Sequence, residues 1–99
     1  MAFKLIWSPL ARLDLKDIAN FIAEDSPSAA ERFVKSLFQV VERLAEFPES
    51  GRVVPELADP AVREAIRSPC RIVYRIQRRK RTVEIVRVWH GARGTPGIQ

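Results

Sequence analysis

The sequence predicts an α+β fold: an N-terminal strand, a two-helix antiparallel hairpin, then a mainly antiparallel sheet of about four strands. Three observations predict it. Apolar residues alternate at the N-terminus; two successive serine–proline pairs each open a run of helical spacing; and the chain beyond about residue 63 returns to period-two patterning interrupted by a charged turn.

Phe3, Leu5 and Trp7 alternate with Ala2, Lys4 and Ile6, as in a short strand whose better face is the Phe/Leu/Trp side. Ser8 then suits an N-cap, because its hydroxyl accepts a bond from an orphan helix amide, and Pro9 suits the first helical position, where no N–H is needed. Leu10, Leu13, Ile18, Phe21 and Ile22 recur at near-helical spacing to about Glu24, with Arg12, Lys16 and Asp17 on the wet side. Asp25-Ser26-Pro27 repeats the signal, with Ser28 and Glu31 offering a competing capping box. The second helix has the clearest stripe, formed by Ala30, Phe33, Val34, Leu37, Phe38, Val41, Leu44 and Ala45 and stopped at Phe47-Pro48.

Pro48, Gly51, Pro55 and Pro60 mark residues 48–61 as a pinned connector over the core. A short strand is expected around Arg63 to Arg67, then two more from about 71 to 77 and 82 to 89. Ile72, Tyr74 and Ile76 mark one face of the first of these. In the second, the switch from Val83/Ile85 to Val86/Val88 predicts a bulge. The turn between them, Arg78 to Arg81, lacks the usual Gly or Asn.

At 99 residues, 46% hydrophobic and 29% charged, residues 1–99 fit a single domain with one modest core. A chain this size hides only roughly 60–65% of its unfolded surface, which leaves a bound partner a large share of its stabilisation. No apolar run approaches the ~20 residues needed to span a bilayer, and Met-Ala-Phe-Lys does not begin a signal peptide, so a soluble, cytoplasmic protein is expected. Cys70 stands alone, and no second cysteine or second histidine is present to complete a metal site, so none is expected. The net charge of +5 is lopsided: residues 1–50 hold 6 basic against 8 acidic side chains, residues 51–99 hold 11 against 4. Such a field favours an acidic partner or a phosphate backbone, and the sequence alone does not choose between them.

No Gly-rich phosphate loop, Ser/His/Asp set or metal-ligand spacing is present, so no cofactor is expected. His90 is the sole imidazole; it could act as a general base tuned by Glu56 or Glu64, against a plainer role as a hydrogen-bonded residue at a sheet end. Arg63-Glu64 beside Arg52 and Arg93 reads most simply as salt bridges holding the connector on the sheet, and Tyr74 and Trp89 read as core.

Four groups in order, Gly-Arg-x-x-Pro-Glu-Leu (Gly51 to Leu57), Arg63-Glu64, Arg71-Ile-Val-Tyr-Arg-Ile76 and Val88-Trp-His-Gly-Ala-Arg93, resemble the ParE branch of the RelE/ParE toxin superfamily. The resemblance covers nearly the whole chain. It implies the RelE/ParE-like fold and the toxin half of a bacterial type II toxin–antitoxin pair. By the same resemblance Arg52, Glu56, Arg63, Glu64, Tyr74, His90 and Arg93 are the family-motif residues.

Messenger-cutting relatives use a glutamate after the connector proline, an arginine ahead of the Tyr-bearing strand, and a terminal histidine followed by tyrosine. Glu56 and His90 match the first and last places, but Glu64 or Ala65 stands at the arginine place and Gly91 at the tyrosine place. Acid–base cleavage through a ribose hydroxyl needs a cation at the phosphate and a proton donor for the leaving oxygen. The resemblance therefore implies a non-catalytic DNA gyrase inhibitor, with a ribosome-dependent endoribonuclease using Glu56 and His90, or a non-toxic basic interaction module, as the alternatives. It also implies a ParD-like antitoxin whose acidic C-terminal segment folds onto the toxin, with Leu10, Leu13 and Phe21 offering apolar surface and Arg71, Arg75 and Arg87 meeting the acids.

Overall fold

In the computed structural model, which describes residues 2–91, the chain begins with strand β1 (Lys4–Trp7) and helices α1 (Pro9–Asp25) and α2 (Pro27–Glu46). A 3₁₀ turn (Pro48–Ser50) leads to strands β2 (Arg52–Val53), β3 (Val62–Arg67), β4 (Cys70–Gln77) and β5 (Thr82–His90). They form one five-stranded sheet in the order β1-β5-β4-β3-β2, antiparallel throughout except that β1 runs parallel to β5. The expected α+β architecture is therefore observed. No helix among the described residues is long and apolar enough to cross a membrane.

Both helix starts follow the serine–proline signals. The Ser8 hydroxyl oxygen accepts from the Ala11 N–H at 3.0 Å while the hydroxyl donates to the Val86 carbonyl at 2.8 Å, so one side chain caps α1 and ties it to β5. Ser26 does double duty: its N–H bonds the Ile22 carbonyl at the end of α1, and its side chain accepts from Ala29 to cap α2. A one-residue link forces the helices into an antiparallel hairpin. The Ser28/Glu31 box is not used, and the Ser28 hydroxyl sits instead against that of Ser26.

Helix α2 buries Ala30, Phe33, Leu37, Val41, Leu44 and Ala45; Phe33, Leu37, Val41 and Leu44 join the core against the sheet, whereas Ala30, Val34 and Phe38 line a groove facing α1. The core side of α1 differs from the expected stripe. Ala11, Leu15, Ile18 and Ile22 pack inward together with Asp14, while Leu10, Leu13 and Phe21 stay 51%, 56% and 71% exposed. The helical period explains the division, since 11, 14/15, 18 and 22 share one stripe and 10, 13 and 21 flank it.

The helix-facing side of the sheet contributes Cys70, Ile72, Tyr74, Ile76, Val83, Ile85 and Val88 to this core. The bulge lies where the parity changes: Val73 opposes Arg87 and Tyr74 opposes Ile85, which leaves Val86 between them. Val86 thus joins Val54, Val62 and Val73 in a small cluster on the other face.

Tyr74 locks the connector down. Its hydroxyl donates to the Pro48 carbonyl at 2.6 Å and accepts from the Gly51 N–H at 3.0 Å. At Gly51 a Cβ would lie 2.5 Å from the Glu64 carbonyl oxygen and closer still to the Tyr74 hydroxyl. Gly51→Ala is accordingly expected to destabilise the fold by about 2–3 kcal/mol through overpacking, measured as a lowered urea midpoint; an unchanged midpoint would show that the connector has room to shift.

Candidate functional site

Strand alternation divides the motif residues between the two faces of the sheet. Cys70, Ile72 and Tyr74 point at the helices, so Arg71, Val73 and Arg75 point to the opposite, open face. Glu64 is paired with Val73 on one side and Arg52 on the other, which brings it onto the same face.

A charged chain is built there. One Glu64 oxygen accepts from Arg52 Nε at 2.5 Å, and the other accepts from Arg71 Nε. The terminal nitrogens of Arg71 reach on to both Glu56 oxygens at 3.1 and 3.2 Å. The Glu64 side chain is fully buried, yet no buried side-chain polar atom among the described residues lacks a partner. Two guanidinium groups and two carboxylates leave the row Arg52–Glu64–Arg71–Glu56 close to neutral.

Arg71 donates to Glu56 and holds its carboxyl below the usual value of 4.5, helped by a backbone N–H. A depressed carboxylate pKa adds stability that is complete above the unfolded value and lost as pH falls through the folded one. The difference in urea midpoint between the native chain and Glu56→Gln is therefore expected to be constant above about pH 5.5 and to shrink as pH drops below about 4.5. A difference independent of pH down to about pH 3 would show that the Arg71 contact does not form in solution.

Arg63 does not form the expected salt bridge. Its guanidinium donates to the carbonyls of Pro60, Glu49 and Gly51 and so sews the connector to β3 through backbone atoms. Arg75 pairs with Glu84 at 3.4 Å. Arg87 grips both oxygens of Asp14 at 2.8 and 2.9 Å and lies over the Trp89 ring at 4.8 Å. Each arginine assigned to a partner's acids thus already holds an internal carboxylate. Arg93 lies outside the described residues.

His90 is paired with Cys70 and faces the helices. It lines a 360 Å³ cavity with Asp17, Ile18, Phe21, Ile22, Phe33, Pro69 and Cys70. Burial pushes the Cys70 thiol above its usual pKa, the environment of a packing residue rather than a nucleophile. The carboxylate that shares this cavity with the histidine is Asp17; Glu56 and Glu64, considered as its tuning partners, sit across the sheet and are occupied by arginines. Glu56 and His90 therefore do not converge.

Asp14 is the residue that the sequence reading passed over. Where β1 ends, the β5 edge continues, and Asp14 Oδ2 accepts the buried Val88 N–H at 3.0 Å just as Ser8 satisfies the Val86 carbonyl. An acidic residue falling on the Ala11–Leu15–Ile18 stripe was the available signal.

Comparison with known proteins adds the family. Residues 5–94 match the model of the ParE toxin of the type II toxin–antitoxin system parDE. The chain is 36% identical over 90 residues to Toxin RelE2 of Caulobacter vibrioides, covering 91% of this chain and 97% of that one. It is 35% identical over 97 residues to the putative toxin Y4kP of Sinorhizobium fredii, covering 96% and 95%. Among solved structures, the chromosomal ParDE system of P. aeruginosa superposes with a TM-score of 0.71 at 23% identity, covering 90% of this chain and 96% of that one. The toxin–antitoxin complex RelBE2 of Mycobacterium tuberculosis gives 0.60 at 26% identity, covering 91% and 99%. A free-state arginine variant of E. coli toxin RelE gives 0.60 at 18%, covering 95% and 88%, a likeness of fold alone. With its motif groups seated on that fold and the family model spanning nearly its whole length, the chain belongs to the ParE toxin family of type II toxin–antitoxin systems.

Proposed function

We propose that this toxin acts by binding, disabling DNA gyrase without an enzymatic centre of its own, and that a ParD-type antitoxin neutralises it. The observation that carries the non-catalytic half is the separation of Glu56 from His90 by the thickness of the sheet, with Glu56 and Arg71 engaged in the neutral row. The gyrase target rests on membership of the ParE branch. The antitoxin rests on the ParDE and RelBE2 systems to which the fold is similar.

For the antitoxin, Leu10, Leu13 and Phe21 present exposed apolar surface along α1, suited to a segment that folds on contact. Because Arg71, Arg75 and Arg87 hold Glu56/Glu64, Glu84 and Asp14, the partner's acids meet them only by exchange, and the apolar contacts supply the main anchor.

Relaxed plasmid incubated with gyrase and this protein tests the target. Loss of supercoiling with accumulation of cleaved plasmid is the expected result. Undiminished supercoiling together with site-specific cuts in translated messenger, abolished by His90→Ala, would replace this reading with that of a ribosome-dependent endoribonuclease, the class suggested by the name of the 36% identical relative.

A further inference from the structure

We propose that the β4–β5 turn, Arg78 to Arg81, is a phosphate-gripping finger by which this chain holds duplex DNA without reading its sequence. This goes beyond the gyrase reading, because it assigns a nucleic-acid contact to the toxin itself.

In the sequence, the basic residues of the second half form one undivided patch; the fold sorts them. Arg52 and Arg71 are held by Glu64 and Glu56, Arg75 by Glu84, and Arg87 by Asp14. Arg63 is bound by backbone carbonyls, and Arg67 by the Ser36 hydroxyl and the Ser68 carbonyl. The four consecutive cations of the turn are all exposed, and Arg79 and Lys80 have no carboxylate partner among the described residues. Arg78 meets Glu49 at 2.9 Å, but with side chains 58% and 66% exposed this pair is weak enough in water to exchange for a phosphate.

The turn is also held in shape. The Arg81 N–H bonds the Arg78 carbonyl at 3.1 Å with Arg81 at φ 52°, a left-handed conformation in which glycine is the default. A hairpin that served only to connect two strands would be relieved by glycine there; this one keeps a cation. The guanidinium of Arg81 lies 4.8 Å from the Phe3 ring centroid, and its carbonyl accepts the Lys4 N–H, so the base of the turn is fastened to β1 with Lys4 beside it.

The composition favours phosphate over an acidic protein surface. Residues 77–82, Gln-Arg-Arg-Lys-Arg-Thr, contain no apolar side chain, and the flanking Gln77 and Thr82 hydrogen-bond each other. Protein interfaces draw their energy from buried aromatic and aliphatic anchors. A phosphodiester backbone needs only guanidinium and ammonium groups, which release its counterions.

Fluorescence anisotropy of a labelled duplex of about 20 base pairs, titrated with the full chain over a salt series, tests the proposal. The expected slope of log affinity against log salt is about −3, and Arg79→Gln/Lys80→Gln makes it shallower by about 2 while weakening binding about tenfold. Lys16→Gln/Lys35→Gln on the helices leaves both unchanged. Duplex binding by the turn variant equal to that of the native chain overturns the proposal. So does polyglutamate, used as competitor, binding more tightly than the duplex through the same two residues, which would assign the turn to an acidic polypeptide. Plasmid supercoiling is scored separately, so failure of the gyrase reading and failure of the DNA contact give different results.

Discussion

Asp14→Ala is expected to lower folding stability by about 3–5 kcal/mol, the cost of removing one partner from a buried ion pair. Its carboxylate is only 8% exposed and that of Arg87 opposite it 14%. The variant takes from the Arg87 guanidinium the carboxylate it grips and leaves the Val88 N–H without its acceptor at the sheet edge. For a domain whose whole margin is about 5–15 kcal/mol, this is a large fraction, and at about 4 °C or more per kcal/mol the midpoint of thermal unfolding should fall by at least about 12 °C. Circular dichroism on heating measures it. The double variant Asp14→Ala/Arg87→Ala should recover part of the loss, because much of the single-variant penalty is a buried charge deprived of its carboxylate. A shift under about 1 kcal/mol in the single variant would mean that α1 does not seal the β5 edge through this carboxylate.

Glu64→Ala has the second largest expected effect, a loss of about 3 kcal/mol. Glu64 is the hub of the row, fully buried and bonded to a guanidinium through each oxygen. Its removal leaves Arg71, 17% exposed, with Glu56 as its remaining carboxylate, and Arg52 with none in the row. Arg52→Ala should cost under about 1 kcal/mol, because the Arg52 side chain is 65% exposed and water replaces much of what the pair provides. The contrast between the two variants is the informative quantity. Equal losses in a urea titration would show that the pair acts as a unit and that burial of Glu64 is not what sets the cost.

Much of this molecule could be read from residue order because the signals concerned are local. Ser8-Pro9 and Ser26-Pro27 act within one helical turn of themselves, and both helices begin where they say. The parity change near Val86 is a property of a few neighbouring side chains, and it is a bulge. The motif groups likewise marked the family, since their spacing survives in one dimension.

The candidate site was less legible, and for a definite reason. Which carboxylate meets which arginine depends on strand register and on the face each residue takes, and no local pattern encodes a partner 73 residues away, as with Asp14 and Arg87. Reading α1 as a stripe through Leu10, Leu13 and Phe21 missed that burying Ala11 and Asp14 lets the helix lie against the β5 edge.

Residue order by itself thus determined the α+β layout, the helix boundaries, the bulge and the family, because propensity, capping and periodicity act over a few residues. Tertiary structure alone decided which charges are spent inside the fold: Glu56 and His90 fall on opposite faces, Arg71, Arg75 and Arg87 are neutralised, and Arg79 and Lys80 at the tip of the β4–β5 turn meet no carboxylate among the described residues. The physical reason is that Coulomb energy depends on distance and burial in three dimensions, quantities that a count of basic residues along the chain does not contain.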